Sequence, residues 1–143
     1  PRGHAGGTLA LVFVTILAGA LVAGMDAGLL YNEYPLMGDS LVPVEYGDAG
    51  LLDAFENPAA AQFHHRWIAA LAVLAVITLA LRGRRSPASR TPATLALLFV
   101  LCQFVLGIAV LLNGVPVSLG AMHQTGAVLL LASLVWTAHR MPR

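Results

Sequence analysis

Long stretches without a formal charge constrain this chain more than any other feature. Residues 91–139 contain no Asp, Glu, Lys or Arg, and residues 5–25 contain none either. About 20 consecutive apolar residues are enough for a helix to cross the hydrocarbon core of a bilayer. Apolar residues make up 58% of the 143-residue chain and charged residues only 10%, whereas about a quarter of the residues of a soluble domain are charged. This composition excludes a soluble enzyme, a disordered tail and a disulfide-stapled secreted domain.

The apolar stretches divide into four predicted membrane spans. The 91–139 stretch is too long for one crossing, and the turn formers Asn113–Pro116 divide it. Lipid offers no hydrogen bonds to the backbone, so each crossing segment must satisfy its own backbone groups, as a helix does. The predicted fold class is therefore all-α, a transmembrane four-helix bundle, with spans at about 8–26, 60–82, 93–112 and 118–138.

The charged side chains predict how these spans are oriented. All seven acidic residues lie between the first and second spans, in a loop without Lys or Arg. Seven of the eight arginines lie before the first span, between the second and third, or after the fourth. By the positive-inside rule, both termini and a loop at 83–92 are cytoplasmic, and the long loop 27–58 between helices 1 and 2 is extracytoplasmic. We expect an integral protein of the bacterial inner membrane, or of an equivalent membrane.

Ionisable residues inside the predicted spans are candidates for function. His64, His65 and Arg66 lie near the start of the second span, and His123 lies near the start of the fourth. A helix rises about 1.5 Å per residue, so each imidazole should lie roughly 5–10 Å below the outer end of its helix. Two facing imidazoles in a helix bundle suit a bis-histidine heme iron. No further histidine, carboxylate or Cys-x-x-Cys motif there completes a zinc or iron–sulfur site.

The residues alone leave several roles open. Neighbours on a helix differ by about 100°, so His64 and His65 cannot both face inward, and geometry does not choose between them. A histidine near an interface is also commonly a solvated hydrogen-bonding residue. Arg66 either extends to the outer interface or holds a carboxylate such as a heme propionate through forked hydrogen bonds. Gln62 and Gln124 either orient an imidazole or bond between helices.

Five short motifs, in this order and at this spacing, resemble the C-terminal half of the heme A synthase family. The Gln-Phe-x-His-Arg motif is the most specific, and the Tyr-Asn-x-x-Pro-Leu-Met string of the outer loop is also distinctive. Family members are eight-helix proteins of two similar four-helix halves. The resemblance therefore implies that residues 1–143 form a single four-helix heme-binding half of a longer protein. The motifs are Asp26–Gly28, Tyr31–Met37, Phe55–Asn57, Gln62–Arg66 and Met122–Gln124.

The resemblance also implies an enzyme activity and a set of iron ligands. Family members are oxidoreductases that convert the C8 methyl of heme O to a formyl group, with water as the oxygen source, giving heme A for cytochrome oxidase. In the family motif the ligand immediately precedes the arginine. The resemblance therefore makes His65 and His123 the metal ligands, places His64 at the variable position, and makes Arg66 a further cofactor-binding residue.

One position departs from the pattern of the other half of the family. That half typically reads Glu-x-x-His-Arg, and its glutamate is linked to the oxidation, whereas this chain has Gln62. A neutral amide does not move protons as a carboxylate does. The resemblance then implies that this half holds a resident bis-histidine heme b, whose iron has no open position and favours electron transfer. The heme O substrate would bind the missing half, and no catalytic residue is assigned here.

The expected partners follow from the same resemblance. They are heme O, membrane lipid, heme O synthase and cytochrome oxidase assembly proteins, and a homo-oligomer is a second route to the two-half architecture. The net charge of +1 gives no basic surface for nucleic acid. The competing interpretation is a cytochrome b-type membrane electron-transfer anchor not involved in heme synthesis, which would not need the distinctive string in the outer loop. A heme-free scaffold or small transporter is the third.

Overall fold

The chain forms an all-helical bundle in a computed structural model that describes residues 2–141. Each of the four long helices is long and apolar enough to cross a membrane. The described residues contain no β-strand beyond one isolated bridge between Met37 and Ser40. The predicted all-α class with four spanning helices is confirmed. The helices are α1 (Arg2–Gly24), α2 (Asp53–Glu56), α3 (Pro58–Gly83), α4 (Pro87–Leu112) and α5 (Val117–Arg140).

Proline marks the start of two of the long helices. Pro58 and Pro87 each occupy the first turn, after Asn57 and Ser86 respectively. Proline suits this position because its missing N–H would have no partner there and its φ is already helical. As a result α4 begins at Pro87, and the connection between α3 and α4 is shorter than the loop predicted over 83–92.

The four long helices pack in a closed square. Both α1 and α4 pack against α3 and against α5, so α3 and α5 occupy opposite corners. The buried apolar core is made largely of alanine and valine, with a few leucines at the centre. Small side chains allow helix backbones to approach closely, which is how helices associate where lipid removes the hydrophobic driving force. The core includes Ala5, Val12, Ala72, Val76, Leu79, Ala96, Val100, Leu130 and Leu134.

The outer surface of the long helices is more apolar than that of a soluble protein. Large hydrophobic side chains that are half exposed or more occur on all four, which suits contact with lipid rather than water. They include Phe13, Leu17, Leu71, Leu74, Leu98, Val105, Val128 and Val135.

Residues 25–57, here called the connecting segment, lie on one end of the bundle. The side-chain amide of Asn32 donates to the carbonyls of Gly28 (2.7 Å) and Leu111 (3.0 Å), which ties the segment to the end of α4. Gly28 lies so close to the turn between α4 and α5 that a Cβ there would be 2.9 Å from Cγ2 of Val115. We call this end of the bundle the segment end. The opposite end, with the α3–α4 connection, is the arginine end.

Candidate functional site

His65 and His123 lie at matching depths on opposite corners of the square. His65 is on α3 and His123 is on α5, and both are half-buried. With about 1.5 Å of rise per residue, they lie about 10 Å and about 9 Å from the starts of their helices, both at the segment end. Because α3 and α5 both begin at the segment end and run in the same direction, they bring the two imidazoles to one level of the bundle at its two facing corners.

Each of these imidazoles lies against a glycine of a neighbouring helix. An ideal Cβ at Gly19 of α1 would be 3.0 Å from Cε1 of His65, and one at Gly107 of α4 would be 3.1 Å from Cε1 of His123. Gly19 is five residues before the end of α1, and Gly107 is five residues before the end of α4. The α1–α3 and α4–α5 pairs therefore repeat one arrangement, with a glycine on the first helix and a histidine on the second.

One ring nitrogen of each of these two imidazoles lacks a hydrogen-bond partner within the described part of the chain. Nδ1 of His65 and Nδ1 of His123 are both buried without a partner among the described residues. An unpaired polar group in an apolar interior is costly. Nδ1 of His64 is also buried without a partner in the residues that the structure describes, so the matching depth and facing positions of His65 and His123 are what make these two rings the candidate pair. No cluster of three or more His, Cys, Asp or Glu side chains suited to a metal ion occurs within residues 2–141.

His64 faces a different environment from His65. Its Nε2 lies 3.0 Å from Oη of Tyr46 in the connecting segment, a hydrogen bond. The ring also packs edge-on against Tyr46 and against Phe63, with centroid distances of 5.5 Å and 5.7 Å. Successive residues of a helix point about 100° apart. His64 therefore bonds to the connecting segment, while His65 faces α1.

Arg66 and Gln62 hold the backbone of the connecting segment. Nη2 of Arg66 donates to the carbonyl of Tyr31 (3.0 Å), and Nη1 donates to that of Leu36 (3.0 Å). Gln62, only 2% exposed, donates through Nε2 to the same Tyr31 carbonyl (3.1 Å). Nε of Arg66 and Oε1 of Gln62 are buried without a partner among the described residues. The sequence left Gln62 either to orient an imidazole or to bond between helices; in the structure its amide instead bonds to the backbone of the connecting segment.

Comparison with known proteins identifies the family. The COX15-CtaA family model, described as a cytochrome oxidase assembly protein, matches residues 1–135. The chain belongs to this family. The resemblance seen in the motifs is thereby confirmed, and no solved structure matches the chain.

The curated relatives of this COX15-CtaA family chain are all considerably longer. Heme A synthase COX15 of Mus musculus is 42% identical over 147 residues, which cover 99% of this chain and 36% of the mouse protein. Heme A synthase of Maricaulis maris is 45% identical over 145 residues, which cover 96% of this chain and 42% of that protein. The chain therefore spans less than half the length of these relatives.

The connecting segment of this family chain carries its own polar network. Oη of Tyr31 donates to Oε2 of Glu45 (2.6 Å); this hydrogen bond raises the pKa of Tyr31 and lowers the pKa of Glu45. Asp53 is largely buried, which by itself raises its pKa. Hydrogen bonds from the Asn57 amide and from the backbone N–H groups of Gly47 and Ala49 outweigh burial and hold the pKa of Asp53 below its usual value. The network keeps α2 folded over the start of α3.

The sequence of this COX15-CtaA chain does not predict which glycines contact a histidine. A glycine on an apolar helix usually allows a neighbouring helix to pack closely. Gly126 has this role, since Nε2 of Gln103 fills the space where its Cβ would be. Gly19 and Gly107 instead face histidines. Their equal distance from the ends of α1 and α4 is the signal that could have singled them out. Gln124, a candidate for orienting an imidazole, is exposed.

Proposed function

We propose that this chain is a heme-binding half of a heme A synthase, an oxidoreductase that converts the C8 methyl of heme O to the formyl group of heme A. Its family and the names of its curated relatives support the activity. The observation that carries the heme proposal is the pair of half-buried imidazoles at one depth, on facing corners of the bundle, each with an unpartnered Nδ1.

The residues present suit a heme iron. His65 and His123 would hold the iron through one imidazole nitrogen each, and the resident group, heme b, would supply one-electron transfer when bound. Gly19 and Gly107 leave room for the two rings. Arg66 still has an unpartnered buried Nε, so its guanidinium is able to bind a propionate while it holds the connecting segment. Gln62, in place of a glutamate, supports an electron-transferring rather than a substrate-oxidising half.

The remaining parts of the proposal concern the whole protein. The substrate heme O would bind the half that lies outside this chain or, in a homo-oligomer, a second copy. Membrane lipid, heme O synthase and cytochrome oxidase assembly proteins are the partners we infer. With Arg82, Arg84, Arg85 and Arg90 at one end of the bundle and all seven acidic residues in the connecting segment at the other, the arginine end would face the cytoplasm of a bacterial inner membrane or its equivalent.

The ligands are tested in the purified full-length protein that contains this chain. We expect His65→Ala and His123→Ala each to abolish the low-spin heme spectrum of this half, while His64→Ala, the matched control one residue away, retains it. Equal loss with His64→Ala would contradict the ligand assignment. A wild-type protein without a Soret band would contradict heme binding itself.

The activity needs a separate measurement. Pigment extracted after incubation with heme O should contain heme A, which a cytochrome b-type anchor would not produce. If the protein binds heme through His65 and His123 but does not convert heme O to heme A, the chain is a cytochrome b-type electron-transfer anchor instead.

A further inference from the structure

The glycines of the long helices differ in what a Cβ at each position would meet. Gly3, Gly6, Gly7 and Gly24 of α1 and Gly120 of α5 have open space where a Cβ would be. Gly83 and Gly126 face the side chains of other helices, but not a histidine. Only Gly19 and Gly107, within the described long helices, meet an imidazole.

Both glycines contact the same edge of the ring. At Gly19 a Cβ would lie 3.0 Å from Cε1 of His65, 3.5 Å from Nδ1 and 3.6 Å from Nε2. At Gly107 the corresponding distances to His123 are 3.1, 3.8 and 3.6 Å. Cε1 lies between the two ring nitrogens, so an atom added there presses on the edge that carries both. A ring displaced at this edge moves the nitrogen that would bind a metal.

Glycine at these two positions makes the helices less stable than alanine would, unless alanine is excluded by the neighbouring imidazole. Glycine inside a helix is less stable than alanine because it loses more backbone freedom on folding. Alanine is abundant in this bundle and is tolerated throughout its core. A methyl group at position 19 or 107 would lie closer to an imidazole than nine in ten Cβ contacts do, so the ring would have to shift by a few tenths of an ångström.

We propose that Gly19 and Gly107 are positioning residues that set the planes of the His65 and His123 imidazoles. Each backbone forms a flat wall against which the Cε1 edge rests, and the two walls, on α1 and α4, fix the angle between the rings across the bundle. This inference rests on the proposed heme ligation. The electronic structure of a ferric bis-imidazole heme depends on the angle between its two ligand planes, so the glycines would tune the spectrum and the midpoint potential.

The first test uses alanine variants of the full-length protein with heme bound. Gly19→Ala and Gly107→Ala should shift the largest g value of the low-spin ferric heme of this half in electron paramagnetic resonance, and should shift its midpoint potential. Gly24→Ala and Gly120→Ala are the matched controls and should leave both unchanged. Spectra of all four variants identical to wild type would overturn the inference. A wild-type protein without this heme would instead overturn the proposed function.

A second test needs no heme and covers the case in which a variant binds none. It is a double-mutant cycle on the thermal unfolding midpoint of the heme-free protein in detergent, where coupling between two substitutions reports their contact. Gly19→Ala should lower the midpoint when His65 is present. In a His65→Ala background the ring is gone, so the same substitution should leave the midpoint unchanged or raise it. Equal loss in both backgrounds would mean that the methyl group meets something other than the imidazole and would overturn the inference.

Discussion

Asn57 joins the connecting segment to the bundle through both ends of its side-chain amide. Its Oδ1 accepts from the backbone N–H groups of Ala59 (3.0 Å) and Ala60 (3.3 Å) and so caps α3. Its Nδ2 donates to the Glu45 carbonyl (2.6 Å) and to Asp53 (2.7 Å). One side chain therefore satisfies helix N–H groups that would otherwise have no partner and anchors the fold of the segment.

We expect Asn57→Ala to destabilise the protein by about 1–2 kcal/mol, which is the cost of losing an N-cap hydrogen bond. The measurement is thermal unfolding in detergent. Ser86→Ala is the control, because Ser86 occupies the same position before α4 but makes no side-chain cap hydrogen bond; its midpoint should hardly change. Equal effects of the two substitutions would show that the cap at Asn57 contributes little.

Asp53 should make the connecting segment sensitive to acid. Its pKa is lower in the folded protein than the ordinary value of 3.8, because the hydrogen bonds it accepts favour the carboxylate over the acid. This stabilisation is complete above the ordinary value and is lost as the pH falls through the lower, folded-state value. The amides of Gly47 and Ala49, which donate to Asp53, should then lose protection, so that their exchange with solvent approaches the intrinsic rate at that pH. Asp53→Asn should abolish this pH dependence, whereas Asp39→Asn should retain it.

Side chains from the start of α3 hold the connecting segment in place. Arg66, Gln62 and His64 all bond to it, and Met37 within it is only 2% exposed. Tyr34 also packs edge-on against Phe104 of α4, with a centroid distance of 6.2 Å. The segment therefore covers the end of the bundle at which His65 and His123 lie.

Arg66→Ala should loosen this cover. Hydrogen bonds from a charged donor contribute about 1.5–3 kcal/mol, so amide hydrogen exchange across residues 31–38 should accelerate about tenfold or more. Arg85→Ala, which removes an exposed arginine at the other end of the bundle, should leave that exchange unchanged. Unchanged exchange in Arg66→Ala would mean that the segment stays closed without the guanidinium.

The contact between α3 and α4 depends on a close approach at the arginine end. A Cβ at Gly83 would lie 2.8 Å from Cβ of Ala93, which is closer than two methyl groups can pack. Gly83→Ala should therefore lower stability by about 1–3 kcal/mol, as overpacking of a closed interior does, and thermal unfolding would measure it. Gly7→Ala, where a Cβ meets nothing, should not destabilise the protein.

At the scale of the whole molecule, the bundle separates charge between its two ends. All seven acidic residues lie in the connecting segment, whereas the arginines at 82–90 lie at the other end of the bundle. The proposed orientation follows from this separation.

Labelling of single cysteines tests that orientation. The native Cys102 is exposed on α4, so the background carries Cys102→Ser. An impermeant maleimide added to the side that the segment end is proposed to face should label Asp39→Cys at once, and should label Arg85→Cys only after the membrane is opened. The reverse pattern would show that the bundle is inverted.

The sequence alone determined the four helices, their approximate limits and the separation of charge. Hydropathy, proline and charge are properties of each stretch of chain, and lipid leaves a backbone no alternative to the helix. The motif around His65 and Arg66 also pointed to the family, because a short string of residues can be recognised without a structure.

The tertiary structure alone decided which side chains meet. His64 and His65 are adjacent in the chain, and only the rotation of α3 sends one to Tyr46 and the other to Gly19. Arg66 reaches the carbonyls of Tyr31 and Leu36 because the connecting segment folds back over α3. The two glycine–histidine contacts join residues far apart in the sequence, and they depend on which helices pair and on the rotation of each helix about its axis. Hydropathy fixes neither, since these helices are apolar nearly all round.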